Sequence, residues 1–266
     1  MRYLFKDWDK IKKRLENKPV ALFLDYDGTI SPLADKPEKA FVPEETRQLL
    51  YNLLSIPKYR LAVVSGRALR DIKNKVGIDK IIYVGNHGLE IEGPKIKFAN
   101  PVSVRYKRIL GCIKDELGTK LAAFKGAFIE DKGLSLSVHY RLVDRGQIPQ
   151  LKTILRETTI IYAVKGQIRV KPGKEVFEIR PALNWDKGKA VLWLLARWKF
   201  SLNDKDVIPI YLGDDVSDED AFRVLENKGI TIFIGTPKHS AAEYYLKDTV
   251  EVKDFLNRLQ ELSKEV

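Results

Sequence analysis

The stretch from Val20 to Pro32, VALFLDYDGTISP, is an apolar run that ends abruptly in two carboxylates, a glycine and a threonine. Val20 to Leu24 shows no polar alternation, which suits a strand covered on both faces, as in a parallel α/β sheet. In open α/β sheets ligands bind outside the carboxyl ends of the strands, so Asp25 and Asp27 are delivered where chemistry is expected. Gly28 permits the turn, and Thr29 offers a hydroxyl beside backbone N–H groups. Taken alone, Asp-Tyr-Asp-Gly-Thr also fits an ordinary turn, since Asp and Gly are common there. The weight comes from three further segments that also place polar groups after an apolar run or between modules.

Arg60 to Val64 predicts a second strand, ending in Ser65-Gly66-Arg67. Ile81 to Val84 predicts a third, followed by Gly85-Asn86-His87-Gly88-Leu89-Glu90. A lone histidine is more often a structural hydrogen-bonder than a catalyst, so His87 is expected to shape the mouth of the site. Val207 to Leu212 leads into Gly213-Asp214-Asp215-Val216-Ser217-Asp218-Glu219-Asp220, five carboxylates in seven residues. A helix N-terminus also favours acids. So many carboxylates after a buried strand nevertheless repel unless a cation or solvent relieves them, and the first strand supplies matching ones, so a metal is expected. The helix Trp185 to Lys199 begins with Asp186-Lys187-Gly188-Lys189, where a lysine by itself would simply be solvated.

Elsewhere, residues 1 to 18 carry Phe5, Trp8, Ile11 and Leu15 at helical spacing. Pro43 to Leu54 reads as an amphipathic helix with Pro43 at a first helical position, Thr231 to Ile234 as a fifth strand and Val252 to Leu262 as a closing helix. From about Asn100 the texture changes. A helix over Tyr106 to Leu117 precedes paired strands Ala127 to Glu130 and Leu134 to Tyr140. In the second of these Leu136, Val138 and Tyr140 alternate with Ser135, Ser137 and His139, the pattern of a half-exposed strand. A helix Ile148 to Thr158 then leads to strands Ile160 to Val164, Ile168 to Lys171 and Val176 to Arg180, separated by Gly- and Pro-containing turns. The expected organisation is an α/β core of residues 1–101 and 181–266 with an α+β module, 102–180, inserted into it.

Composition narrows the partners. With 266 residues and 44% hydrophobic content, the chain can bury one large core or two modest ones. No apolar run approaches a membrane span, the charged start Met1 to Lys18 has no signal-peptide core, and the single Cys112 can form no internal disulfide, so a cytoplasmic protein with no membrane association is expected. The net charge of +11 raises the question of nucleic acid. The charge is spread along the chain without a dense basic tract or RNA-binding signature, so no nucleic-acid partner is expected and positive potential serves better to draw in a phosphorylated anion.

Together, DYDGT, SGR, the lysine at 187 and GDDVSDED resemble the haloacid dehalogenase-like phosphohydrolase superfamily, whose first motif has the form DxDGT. The resemblance implies a Rossmann-like parallel-sheet core with an inserted α+β cap of the C2 type, which closes over the active site and reads the leaving group. It implies Asp25 as nucleophile forming an aspartyl-phosphate, Asp27 as general acid and then base, and Thr29, Ser65, Gly66 and Lys187 as phosphate binders. Mg2+ is implied as cofactor, held by Asp25, the backbone carbonyl of Asp27 and Asp214, with Asp218 and Asp215 holding ligated water. The longer runs GNHGLEI, DKGLSLSVHYR, KPGKEVFEIRP with NWDKG, and LGDDVSDEDAF resemble the trehalose-6-phosphate phosphatase family over about 200 residues of the chain. That resemblance implies a hydrolase of trehalose biosynthesis acting on a small sugar phosphate, with a trehalose-6-phosphate synthase as partner. It also implies a phosphatase module without the glycosyltransferase domain that some members carry. By matching position Glu130, Lys132, His139, Arg141, Lys174 and Glu178 are its cap contacts to sugar. Rival readings are a phosphatase for sucrose 6-phosphate or a glucosyl- or mannosyl-3-phosphoglycerate, a phosphohexomutase, and a non-catalytic sugar-phosphate-binding module.

Overall fold

The computed structural model describes residues 1–99, 103–173, 175–236 and 239–263. The elements run β1 (Arg2–Tyr3), α1 (Trp8–Leu15), β2 (Val20–Leu24), α2 (Glu44–Ser55), β3 (Tyr59–Val64), α3 (Leu69–Val76), β4 (Ile82–Gly85), β5 (Glu90–Gly93) and β6 (Ile96–Ala99). They continue with α4 (Ser103–Leu121), β7 (Phe128–Asp131), β8 (Leu136–His139), α5 (Ile148–Val164), β9 (Ile168–Pro172) and β10 (Val176–Pro181). The last are α6 (Lys187–Leu202), β11 (Ile208–Gly213), α7 (Glu219–Leu225), β12 (Ile230–Ile234), β13 (Tyr244–Leu246) and α8 (Thr249–Glu261). The chain divides into two units, Met1–Phe98 with Trp185–Val266, and Ala99–Asn184. The joins therefore lie at 98/99 and 184/185, where the sequence reading has 101/102 and 180/181.

The first unit is built on a 9-stranded sheet in the order β1-β13-β12-β11-β2-β3-β4-β5-β6. From β1 through β4 the neighbours pair parallel, and β4 pairs antiparallel with β5. The unbroken apolar run of β2 is explained by the two-residue period of a strand. Val20, Leu22 and Leu24 enter one core with Leu15 of α1, Leu50 of α2, Ile72 of α3 and Phe255 of α8. Ala21 and Phe23 enter the other core, with Leu194 and Trp198 of α6 and Phe222 of α7, so both faces of the strand are apolar. There the rings of Phe23 and Trp198 lie 5.1 Å apart, and those of Tyr211 and Phe222 meet edge to face at 5.6 Å.

The second unit is simpler. A 4-stranded antiparallel sheet, β7-β8-β10-β9, carries Leu136, Val138, Ile168 and Ile179 against Leu110, Ile113 and Leu117 of α4 and Leu151 and Leu155 of α5. Cross-strand register places Glu130 opposite Ser137, Ser137 opposite Glu178, and Glu178 opposite Lys171. These residues form a polar row on the opposite face.

Three sequence expectations are corrected. Ile160 to Val164 is not a strand but the last turns of α5, with Ile160, Ile161 and Val164 exposed. β-branched residues favour strands only where a pleated, half-buried surface receives them, and here the helix anchored by buried Leu151, Leu155 and Thr159 simply continues. Residues 1 to 18 are not one helix either. Arg2 and Tyr3 add an edge strand beside β13, a 3-10 turn follows, and α1 begins only at Trp8. Nor is β8 half-exposed, because Ser135 and Ser137 are buried along with Leu136 and Val138.

Phe222→Ala leaves a void between α7 and the sheet and is expected to cost ~3–5 kcal/mol. Phe200→Ser, at a side chain 87% exposed, is expected to change stability by less than about 0.5 kcal/mol. Urea denaturation of both variants checks the contrast.

Candidate active site

Parallel pairing brings the carboxyl ends of β2, β3, β4 and β11 to one end of the sheet. Leu24 pairs with Leu212 and with Val63, so the residues that follow each strand emerge side by side. Asp25 donates its backbone N–H to the Leu212 carbonyl at 2.9 Å, then leaves the sheet with its side chain buried. The centre of the site is an ammonium. Lys187, in the first turn of α6 and 3% exposed, donates from Nζ to Asp25 Oδ1 at 2.7 Å and to Asp218 Oδ1 at 2.8 Å. Helix α6 is set by its cap, Asp186, whose Oδ1 accepts the Lys189 backbone N–H at 2.9 Å.

Asp25, Asp214 and Asp218 each present an oxygen within 4.8 Å of the others. One ammonium stands among three carboxylates, and the imbalance shows in their acidities. Burial disfavours a charged Lys187, but Asp218 and Asp25 outweigh it and hold the ammonium protonated well above the usual lysine range. Burial, reinforced by Asp218 and Asp215, pushes Asp214 up to about 8. Burial likewise raises Asp25, with Asp218 and Asp214 adding to the effect while Lys187 opposes it. A divalent cation fits this donor set, since it would supply the charge the ammonium cannot. The close approach also needs Gly28: at φ +77, a Cβ there would lie 2.2 Å from Asp214 Oδ2.

The acids that look alike in GDDVSDED part company. Asp218 is fully buried and accepts three hydrogen bonds, Oδ1 from Lys187 and, at 2.7 Å, from the Tyr211 hydroxyl, and Oδ2 from the Asp215 backbone N–H at 3.1 Å. The Asp215 carboxylate caps the 3-10 turn Val216–Asp218 and does not join the trio. Tyr211 was not singled out from sequence. Its signal was a phenol two positions before Gly213 in an otherwise apolar strand.

Asp27, two residues beyond Asp25, is gripped by the guanidinium of Arg67: Nε donates to Oδ2 and Nη2 to Oδ1, both at 2.7 Å. Nη1 of Arg67 donates to Asp71 Oδ2 at 2.8 Å. Burial opposes this cation, and the two carboxylates override burial and raise its pKa. Sequence reasoning names Arg67 only as a member of Ser65-Gly66-Arg67, and its pairing with Asp27 and Asp71 emerges from the structure. Ser65 Oγ accepts the Arg67 backbone N–H at 3.1 Å, and Thr29 is fully buried with a hydroxyl that meets no hydrogen-bond partner among the described residues. Asn86 and His87 both adopt left-handed backbone, at φ +49 and +56, and the His87 ring sits where a Cβ on Gly66 would be, 2.2 Å from Cε1. Residue 66 must therefore be glycine for the imidazole to lie over the loop.

In the second unit, four of the six expected sugar contacts gather on the polar face of the sheet. Lys132 Nζ lies 3.6 Å from Glu178 and 3.9 Å from Glu130, and His139 Nε2 lies 2.9 Å from Glu130 with its ring stacked on Phe128. Arg180, also not foreseen, pairs with Glu178. Arg141 is instead paired with Glu175 at 2.9 Å, outside that group, and Lys174 lies outside the described residues. No helix among the described residues is long and apolar enough to cross a membrane.

Comparison with known proteins fits this geometry. The trehalose-phosphatase family model matches residues 23–250. Trehalose-phosphate phosphatase B of Arabidopsis thaliana is 35% identical over 266 residues, covering 96% of this chain and 70% of that protein. Trehalose 6-phosphate phosphatase RA3 of Zea mays is 36% identical over 264 residues, covering 92% and 70%. Among solved structures, the C-terminal domain of the C. albicans trehalose-6-phosphate phosphatase superposes with a TM-score of 0.81 over 95% of this chain and 96% of that one. At 22% identity it speaks to the fold. The chain thus belongs to the trehalose-phosphatase family and is a phosphatase.

Proposed function

We propose that this phosphatase hydrolyses trehalose 6-phosphate to trehalose and phosphate through an aspartyl-phosphate on Asp25. The observation that carries the reading is the burial of Asp25 at the end of β2 against Lys187, with Asp27 two residues on. Asp25, the main-chain carbonyl of Asp27 and Asp214 would hold Mg2+, which when bound neutralises charge on the nucleophile and the phosphoryl group. In the first half-reaction an Asp25 oxygen bonds to phosphorus. The bond from phosphorus to the sugar oxygen breaks, and that oxygen takes its proton from Asp27. In the second half Asp27 takes a proton from water, the water oxygen bonds to phosphorus, and the bond to Asp25 breaks. Lys187, Ser65 and Thr29 hold the phosphoryl oxygens as charge spreads over them. In the second unit, Glu130, Lys132, His139 and Glu178 supply the fixed donors and acceptors that a polyhydroxylated sugar requires, with Arg141 and Lys174 as further contacts.

Phosphate release in the presence of Mg2+ is expected to favour trehalose 6-phosphate over sucrose 6-phosphate and glucose 6-phosphate, and to cease with EDTA. Preference for another sugar phosphate would overturn the substrate, and absence of any hydrolysis would return the chain to a binding role. Asp25→Asn is expected to lower turnover roughly a thousandfold or more while retaining substrate binding. Calorimetric titration with trehalose 6-phosphate alongside the assay checks both halves.

Lys132→Ala is expected to reduce kcat/KM for trehalose 6-phosphate by ~10²-fold and for p-nitrophenyl phosphate far less, because only the sugar uses that contact. Equal losses on the two substrates would exclude a sugar-reading role.

Asp214 links metal and pH. Its folded-state pKa of about 8 lies above the unfolded value of about 3.9, so the folded protein binds a proton the unfolded chain releases. The resulting stabilisation is complete below about pH 4 and is lost as pH rises through about 8. Metal-free wild-type protein should therefore lose Tm relative to Asp214→Asn as pH rises from about 4 to about 8, and Mg2+ should raise the wild-type Tm mainly at the alkaline end. Parallel Tm curves for the two proteins would exclude the linkage.

A further inference from the structure

Among the charged groups of the first unit, Arg67 is held with unusual completeness. Its side chain is 7% exposed, whereas those of its partners Asp27 and Asp71 are 39% and 40% exposed. The guanidinium lies over the ring of Tyr26, 5.1 Å from its centroid. Its backbone is tied on both sides: the N–H donates to Ser65 Oγ at 3.1 Å and the carbonyl accepts the Asn86 N–H at 2.7 Å. A cation so constrained, sitting on a half-exposed carboxylate, does more than neutralise it. Two parallel N–H···O bonds set the plane of a carboxylate, which one point charge cannot do. The fork engages one lone pair on each Asp27 oxygen and leaves the outer edge of the carboxyl to accept a proton when ionised and to donate its O–H when protonated.

We propose that Arg67 is a positioning residue for both proton transfers of the reaction. Its two-point grip aims the outer edge of the Asp27 carboxyl, which carries the O–H given to the leaving oxygen in the first step and the lone pair that accepts a proton from the attacking water in the second, while Asp71 holds the opposite edge of the guanidinium. This rests on the reading of Asp27 as general acid and base. A purely structural Arg67, one that only relieves charge in the loop, would support all steps of the reaction alike.

The two roles separate by leaving group. p-Nitrophenolate departs without needing a proton, so formation of the phospho-enzyme from p-nitrophenyl phosphate does not depend on how Asp27 is aimed, whereas hydrolysis of that intermediate does. A sugar oxygen needs the proton in the first step as well. The experiment is rapid mixing of wild type, Asp27→Asn, Arg67→Gln and Arg67→Lys with p-nitrophenyl phosphate and with trehalose 6-phosphate, in Mg2+. Arg67→Gln is expected to keep a rapid burst of p-nitrophenolate, followed by steady-state turnover ~10²-fold slower than wild type, and to show no burst of trehalose from the sugar phosphate. Arg67→Lys should recover little, since an ammonium bonds at one point. Asp27→Asn should show the same pattern. If it does not, the acid–base reading of Asp27 fails. If Asp27→Asn shows the pattern but Arg67→Gln turns over trehalose 6-phosphate within about twofold of wild type, or loses the burst in proportion to the steady state, the positioning role is overturned. Should Arg67→Gln fail to fold, Asp71→Asn decides the matter. A severalfold slower steady state with an intact burst supports the proposal, and unchanged turnover overturns it.

Discussion

A single buried ammonium organises the first unit. Lys187 reaches Asp25 and Asp218 from the start of α6, so three segments distant in sequence must meet within hydrogen-bond distance. Removing three charges from water is costly, and mutual attraction offsets that cost only when geometry is good and remaining lone pairs are satisfied. The surroundings show how this is met: Tyr211 and the Asp215 N–H complete Asp218, and glycines at 28, 188 and 213 let backbone and carboxylates approach within distances no Cβ would allow. One ammonium among the three carboxylates of Asp25, Asp214 and Asp218 leaves an excess of negative charge that a divalent cation would relieve.

A second buried cation divides the labour. Lys187 attends the residue proposed to attack phosphorus, and Arg67 attends the residue proposed to move protons. The difference in residue type follows the task. An ammonium is a compact charge able to face two carboxylates and a phosphoryl group, whereas a planar fork imposes direction on one carboxylate.

The second unit applies the two-residue period of a strand differently. In β2 both faces meet helices, and the strand is apolar throughout. In β8 and β10 only one face meets helices, and the other carries Ser137, His139, Glu178 and Arg180. Ser137 is buried even so, because it lies in the middle of the sheet between longer neighbours, an effect that alternation alone does not convey.

Much was legible from local pattern. Apolar runs located β2, β3, β4, β11 and β12, and the polar groups at their ends marked the site, because burial on two faces and delivery at a strand end both leave contiguous signatures. What only the tertiary structure decided was pairing. Asp25 and Lys187 are 162 residues apart and Asp27 and Arg67 are 40 apart, and nothing local to either member names its partner. The acids of GDDVSDED are chemically alike in sequence, yet Asp214 and Asp218 both enter the carboxylate trio, only Asp218 of the two being bonded to Lys187 and Tyr211, while Asp215 caps a turn. Ile160 to Val164 had the composition of a strand and became helix because no neighbouring edge received it and the preceding turns were already anchored. Hydrophobic period is a property of a segment, whereas the state of a charge and the fate of a short apolar run depend on which elements the fold brings beside them.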